Sequence, residues 1–217
     1  MDNMQTKKLI YFYDALCGWC YGFSPVLQQL YDQYHDVLTF EVISGGMILG
    51  DREGPIGEVA PYIKDAYRQV EMTTGVTFGE AFLNDILEEG STLFSSWYPA
   101  VALEVFRAHR PQEVVPFVRG LQKAIYYDGM PPSDPAAYGA LARQFGLDPE
   151  AFVRNLDNPE FAKAAKDQFQ TTASFKVGGF PTLILQDGAE YFMLSRGYLA
   201  YDILDFRLGQ VLSKQNS

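Results

Sequence analysis

Two cysteines, Cys17 and Cys20, are the residues of this chain whose type and spacing most clearly suggest chemistry. A cysteine thiolate attacks a disulfide sulfur and forms a mixed disulfide with the attacked molecule. Because only two residues separate the cysteines, Cys20 can reach back to close a disulfide with Cys17 or to resolve a mixed one. The spacing therefore suggests thiol–disulfide exchange.

The elements predicted around the cysteines place them where a strand ends and a helix begins. Residues 7–13 form an apolar run typical of a buried strand. After the cysteines, apolar side chains recur at steps of three or four, as one buried helical face requires: Phe23, Val26, Leu27, Leu30, Tyr31 and Tyr34. The first turn of a helix offers unpaired N–H groups and a partial positive charge, which favour a thiolate. This context predicts a thioredoxin-like redox motif.

Two other uses of the cysteine pair fit the sequence less well. A closed zinc site needs four ligands, whereas the chain has two cysteines and two histidines, His35 and His109, which lie far apart. We therefore expect no metal site. A purely structural disulfide over so short a loop would stabilise the fold little in the chain-entropy model. Redox chemistry is the preferred interpretation.

The rest of the chain predicts one sheet interrupted by helices. Residues 37–44 suggest a second strand that ends at Gly45-Gly46. Residues 55–175 give dense helix signals and no convincing strand. Three helix starts there combine an N-cap residue with proline in the first turn: Ser133-Asp134-Pro135, Asp148-Pro149-Glu150 and Asn158-Pro159-Glu160.

Strand signals return near the end of the chain. Residues 180–186 and 190–195 suggest a hairpin with Asp187-Gly188 at its turn, and residues 198–212 suggest a final amphipathic helix. The predicted fold class is α/β: a thioredoxin-like core of order β-α-β, then β-β-α, with a large all-helical insertion. We assign residues 1–54 and 176–217 to the core domain, and residues 55–175 to the inserted domain.

Composition excludes some classes of partner. The chain has 217 residues, 47% of them hydrophobic, and a formal net charge of −10. An acidic chain without a basic patch is not expected to bind a nucleic-acid backbone. No apolar run approaches the length of a membrane span. The polar start of the chain suggests no secretory signal, so we expect a cytoplasmic protein.

The chain resembles the DsbA-like thioredoxin-fold family, in the branch of disulfide isomerases and FrnE-type proteins. Segments 13–23, 44–47 and 177–182 carry the resemblance together with the helical insertion, so it covers nearly the whole chain. The pairing of Cys-x-x-Cys with the later Gly179-Phe180-Pro181-Thr182 is its most specific part. In this family the corresponding proline is cis and faces the cysteines. The residue-level alternative is that Pro181 only starts an edge strand.

The resemblance implies a thiol–disulfide oxidoreductase or isomerase that acts on protein or glutathione disulfides. It makes Cys17 an exposed nucleophile and Cys20 a buried resolving residue. The Phe180 backbone and Pro181 would hold an extended substrate segment beside the sulfur. Trp19 would contact substrate or only cover the surface.

Asp14, three residues before Cys17, has two possible roles. Its carboxyl group could transfer a proton to or from Cys20. Alternatively, it could accept backbone N–H bonds in the turn before the helix, as aspartate commonly does.

The dipeptide between the cysteines departs from the strong oxidant of the family. It is Gly18-Trp19, not the Pro-His of DsbA. Without an imidazolium beside the thiolate, we expect a less oxidising pair, suited to a reductase or isomerase. We expect no bound cofactor, although glutathione could be a co-substrate.

Two further classes stay open. Kappa-class glutathione transferases and hydroxychromene-carboxylate isomerases share this inserted architecture, but they usually carry serine at the active position. The third possibility is a chaperone-like module that binds partners without catalysis, with the helical block supplying an apolar groove.

Overall fold

The computed structural model describes residues 7–213, which form a four-stranded sheet, a two-stranded ribbon and eight α-helices. In chain order, the elements are β1 (Lys8–Tyr13), α1 (Gly18–Tyr34), β2 (Thr39–Ser44), β3 (Gly54–Pro55), α2 (Ala60–Thr74), a π-helix (Ala81–Glu88), β4 (Leu93–Phe94), α3 (Trp97–His109), α4 (Val114–Tyr126), α5 (Ala137–Gln144), α6 (Pro149–Asn155), α7 (Pro159–Ser174), β5 (Thr182–Asp187), β6 (Glu190–Arg196) and α8 (Tyr201–Ser213).

The main sheet has the strand order β2-β1-β5-β6. Strands β1 and β2 are parallel, whereas β5 pairs antiparallel with both β1 and β6. The parallel pair needs a crossover, which α1 supplies. Since β1 lies between two partners, five of its six residues are buried. This topology confirms the predicted α/β class and its thioredoxin-like core.

Helix α1 presents one apolar face to the sheet. Phe23, Leu27 and Leu30 are almost completely buried. The Phe23 ring packs on the Tyr11 ring of β1, with the ring centroids 5.7 Å apart. This packing fixes the start of the helix, and therefore the cysteines, at the end of β1.

The inserted segment is largely helical, as predicted, but the expectation of helices alone was wrong. Gly54 pairs with Phe94, and Pro55 pairs with Leu93, in a short antiparallel ribbon. Two residues per strand are too few to show the alternation by which a strand is recognised in a sequence.

The three helix starts marked by proline were predicted with different accuracy. Asp148 and Asn158 are N-cap residues whose side chains accept N–H bonds from Glu150 and Glu160, each at 2.9 Å. Asp134 accepts the Ala136 N–H at 3.0 Å, but α5 begins only at residue 137. Thus Ser133-Asp134-Pro135 marks a turn that leads into α5, not the first turn of that helix.

The hairpin forms one residue later than predicted. Asp187 still pairs with Glu190, so the turn consists of Gly188 and Ala189. Gly188 has φ 59°, a left-handed conformation that glycine adopts without steric cost.

Aromatic contacts join the inserted helices to the core. The Tyr21 ring of α1 lies 5.2 Å from the Phe78 ring and 5.3 Å from the Tyr126 ring of α4, measured between centroids. The Tyr21 hydroxyl also donates to the Thr77 carbonyl at 2.8 Å. One hydrophobic cluster includes buried side chains from both segments. The division at residues 55 and 175 stays a prediction.

Candidate active site

Cys17 is the N-cap residue of α1. Its φ of −93° and ψ of 110° are extended, and its Sγ accepts the N–H of Cys20 at 3.3 Å. The side chain is only 8% exposed, so the expectation of an exposed first cysteine was wrong. The reason is that Cys17 lies in the wall of a cavity, which also has Phe180 in its lining. A substrate must therefore enter the cavity to reach the sulfur.

Cys20 lies one turn further along α1 and has no exposed surface. Both cysteines are free thiols. Burial raises the pKa of the Cys20 thiol well above its ordinary value, and the nearby Cys17 sulfur raises it further. Cys20 is thus buried, as the family resemblance implies, and must be deprotonated before it can attack.

The segment before β5 faces Cys17. The Phe180–Pro181 peptide bond is cis, as the family resemblance implies. The Cys17 thiol lies 3.7 Å from the Phe180 carbonyl oxygen, within reach of a weak S–H···O bond. Pro181 is buried, and its own carbonyl accepts the Gly197 N–H at 2.7 Å. The fold therefore places the predicted pair, Cys17 and Phe180, against each other across 163 residues of sequence.

Asp14 is 1% exposed, and its carboxylate accepts hydrogen bonds from three groups. Oδ1 accepts the Leu16 N–H and the Ser96 hydroxyl, both at 2.9 Å, while Oδ2 accepts the Met47 N–H at 2.7 Å. Burial raises the pKa of the Asp14 carboxyl, and the donors, Met47 N–H first among them, partly offset that rise. These contacts match the turn-stabilising role; the proton-transfer role stays a hypothesis.

Replacing Asp14 by asparagine is expected to destabilise the protein by about 1–3 kcal/mol, because the new NH₂ group would face an N–H or O–H donor and leave it unpaired. Chemical denaturation measures the loss. The matched control is Asp134→Asn, an exposed residue whose oxygen accepts one N–H bond that asparagine can also accept. Equal stability of both variants would contradict the assigned role of the Asp14 carboxylate.

The residue that follows β2 packs directly against the Phe180 ring. Gly45 donates its N–H to the Tyr13 carbonyl at 2.7 Å, which extends the parallel pairing with β1. A Cβ atom on Gly45 would lie 1.9 Å from Cζ of the Phe180 ring. This close approach requires glycine, because any side chain would overlap the ring. Gly45 thereby sets the position of Phe180.

A cavity of about 720 Å³ opens beside Cys17. Its lining is mainly apolar and aromatic, and includes Trp19, Tyr67, Phe78 and Tyr126. Trp19 is half-buried there, so it is part of the wall rather than a surface cover. Among the residues that the structure describes, Arg52 is the one basic residue in the lining, and no carboxylate contributes to it. The site can hold an apolar group beside a reactive sulfur.

Sequence reasoning missed two buried polar side chains near the cysteines. The amide of Gln122, on α4, lies between the Asp14 carbonyl and the main chain of Cys20 and Tyr21. The hydroxyl of Tyr11 lies near the Cys20 thiol. The only sequence signal for Tyr11 was its hydroxyl group, which lies in a strand that was predicted to be buried in the core.

Within residues 7–213, no three acidic, histidine or cysteine side chains are grouped so that they could hold a metal ion. No helix in the same range is both long and apolar enough to cross a membrane.

A cysteine pair at the start of the first helix, opposite a cis-proline loop on a β-α-β/β-β-α sheet, defines a thioredoxin-fold protein with a redox-type site. The family model for the DSBA-like thioredoxin domain matches residues 8–197. The chain therefore belongs to the DSBA-like thioredoxin domain family.

Two solved structures are similar over almost the whole chain. One is a Nitrosomonas europaea protein to which disulfide isomerase activity has been ascribed; it is 23% identical, with a TM-score of 0.82, and the match covers 97% of this chain and 99% of that one. The other is the cytosolic disulfide reductase DsbM of Pseudomonas aeruginosa, which is 25% identical, with a TM-score of 0.80 and coverage of 94% and 98%.

A curated relative carries a different description. The ClpXP adapter protein SpxH of Halalkalibacterium halodurans is 25% identical over 194 residues, which are 84% of this chain and 61% of that protein. This chain thus spans about three fifths of the length of the curated relatives it matches.

Proposed function

We propose that this protein is a thiol–disulfide oxidoreductase in which Cys17 attacks a substrate disulfide and Cys20 resolves the mixed disulfide. The observation that carries the proposal is the placement of Cys17: its sulfur caps a helix N-terminus, accepts the Cys20 N–H, and lies 3.7 Å from the Phe180 carbonyl at the cavity wall. The thiolate of Cys17 is the attacking species in this exchange.

The reaction has two exchange steps. First, the Cys17 thiolate forms a bond to one substrate sulfur, and the other substrate sulfur leaves as a thiolate that takes up a proton. Second, Cys20 loses its proton and attacks Cys17 Sγ, which releases the remaining substrate thiolate and leaves a Cys17–Cys20 disulfide. The substrate gains two electrons, so each further turnover requires two equivalents of a reducing thiol, which are oxidised to a disulfide as Cys17 and Cys20 are reduced. Phe180 and Pro181 are proposed to align the substrate backbone beside Cys17.

We propose glutathione as a co-substrate and small or unfolded disulfide compounds as substrates. The structure of DsbM was also determined with glutathione, and that relative is described as cytosolic, which supports a cytoplasmic, reducing role here. The apolar cavity next to Cys17 suits an apolar side chain of the substrate, and Trp19 would contact it. No bound cofactor is needed for this chemistry. The cysteine pair favours exchange over the glutathione transferase or isomerase alternative.

The proposal is tested by turnover with glutathione as reductant. We expect the wild-type protein to reduce either insulin disulfides or the mixed disulfide of glutathione and 2-mercaptoethanol faster than glutathione alone. No acceleration with either substrate would contradict the proposed activity. The relative rates distinguish a protein substrate from a small-molecule substrate.

The reduction potential tests the direction of electron flow. Because Gly18-Trp19 provides no cation beside Cys17, we expect a potential more negative than the roughly −120 mV of DsbA. Equilibration with glutathione redox buffers, followed by alkylation of free thiols, measures it. A potential as oxidising as that of DsbA would contradict a reductase role.

A second candidate function is partner binding without catalysis. Two observations favour it: the curated relatives are described as ClpXP adapter proteins, and α2 leaves large apolar side chains exposed, with Tyr62 74% and Met72 81% accessible. Partner capture that survives replacement of both cysteines by serine would support this candidate over redox catalysis.

A further inference from the structure

Tyr11 places its hydroxyl group in the interior of the described part of the protein without a well-aligned hydrogen-bond partner. The residue lies in the middle of β1 and is 1% exposed. Within residues 7–213, no donor or acceptor is positioned to form a well-aligned hydrogen bond with its Oη atom. Buried polar groups are normally paired, and leaving one unpaired costs free energy. An unpaired hydroxyl in this position therefore needs an explanation.

The surroundings of Tyr11 point to Cys20. The Tyr11 ring packs on Phe23, and Phe23 follows Cys20 by three residues on α1, so the two side chains share one face of the helix. Cys20 has no exposed surface; this burial raises the pKa of its thiol, and the nearby Tyr11 hydroxyl lowers that pKa by a smaller amount. The hydroxyl and the thiol therefore lie in the same closed space between β1 and α1.

We propose that the Tyr11 hydroxyl is a positioning group that donates a hydrogen bond to the Cys20 sulfur when this sulfur becomes a thiolate in the resolving step. This inference rests on the proposed function. The hydroxyl lacks a good partner in the dithiol form because the charge that it stabilises exists only during the reaction. Hydrogen bonds to charged groups are stronger than those to neutral groups, so the interaction favours the attacking form of Cys20.

The chemistry of both groups agrees with this role. Burial raises the pKa of Tyr11 well above its ordinary value, and the neighbouring Cys20, Cys17 and Tyr13 raise it further. The phenol therefore stays protonated and acts as a donor, not as a base. Cys20 first loses its proton, its thiolate then forms the bond to Cys17 Sγ, and the bond between Cys17 and the substrate breaks to release the substrate thiolate. Tyr11 keeps its proton throughout.

Tyr13 provides a matched control on the same strand. It is fully buried, its hydroxyl is also unpaired, and its ring stacks on Tyr11 with the centroids 5.5 Å apart. Its hydroxyl, however, faces the Ser44 side chain at the end of β2. Phenylalanine at either position removes one buried oxygen from the same core. Cys20 acts on Tyr13 only through its charge, whereas its side chain also interacts with the Tyr11 hydroxyl at hydrogen-bonding range.

The test separates the two exchange steps with 5,5′-dithiobis(2-nitrobenzoate) as substrate. Attack by Cys17 releases one coloured thiolate, and resolution by Cys20 releases a second, so stopped-flow absorbance follows both phases. For Tyr11→Phe, we expect the second phase to slow about tenfold or more at pH 7, because a hydrogen bond to a charged group is lost. Its pH profile should shift to higher pH, while the first phase stays within about twofold of wild type. Tyr13→Phe should leave both phases unchanged.

Several results would overturn the inference. These are an unchanged second phase in Tyr11→Phe, equal slowing in both variants, or slowing without a shift of the pH profile. Slowing of both phases in Tyr11→Phe would indicate a general structural role and would also overturn it. Absence of the first phase in wild-type protein would instead contradict the proposed function, so the two failures are distinguishable.

Discussion

Replacing Cys17 by serine is expected to reduce disulfide turnover to the rate without protein. A serine hydroxyl stays protonated near neutral pH, and the described residues that line the cavity include no carboxylate or histidine to activate it, so it cannot replace a thiolate as nucleophile. Cys17 is also the cysteine that lines the cavity, whereas Cys20 has no exposed surface and cannot be attacked by a bulky substrate. The turnover assay with glutathione measures the loss.

Cys20→Ser is the matched control for this result. It keeps the attacking sulfur and removes only the resolving one, so the protein should accumulate as a covalent mixed disulfide with substrate. Intact-mass spectrometry detects this adduct on the Cys20→Ser variant and should find none on Cys17→Ser. Adducts of similar yield on both variants would contradict the assignment of roles to the two cysteines.

Replacing Gly45 by alanine is expected to lower turnover at least about tenfold while leaving the protein folded, because displacing aligned groups by an ångström can cost a hundredfold in rate. The new Cβ would overlap the Phe180 ring at 1.9 Å, so the ring must move. The Phe180 carbonyl, 3.7 Å from Cys17, would move with it. Overpacking of this kind also costs about 1–3 kcal/mol of stability.

Kinetics and denaturation together test the Gly45 prediction. Gly209→Ala is the control, since a Cβ there meets nothing within 4 Å and the residue lies in helix α8. That variant should keep full turnover and gain slight stability. Unchanged turnover in Gly45→Ala would show that the position of Phe180 is not important for catalysis.

The local parts of the site could be predicted from the sequence. The spacing of Cys17 and Cys20, and the strand and helix patterns around them, depend on neighbours in the chain, and the structure has both elements where the patterns indicate. The order of the core elements was also predictable, because each strand and helix is long enough to show its period. Asp148 and Asn158 were recognised as N-caps because a proline directly follows each of them, which is also a local signal.

The parts that failed depend on distant contacts. Sequence patterns cannot show that Gly45 lies under Phe180, or that Gln122 reaches the Asp14 carbonyl from 108 residues away. The low exposure of Cys17 has the same cause, because the walls that cover it belong to separate elements. Likewise, β3 and β4 exist only because they pair with each other.

The long-range hydrogen bonds of the Asp14 carboxylate determine the stage of protein synthesis at which the site can form. Its donors, Met47 and Ser96, follow it by 33 and 82 residues, and the carbonyl opposite Cys17 follows that cysteine by 163. A ribosome-bound fragment that contains the cysteine motif but lacks these later residues has the thiols without the surroundings that direct them. Selective exchange is therefore a property that the polypeptide acquires only after the segment that carries Phe180 has been synthesised.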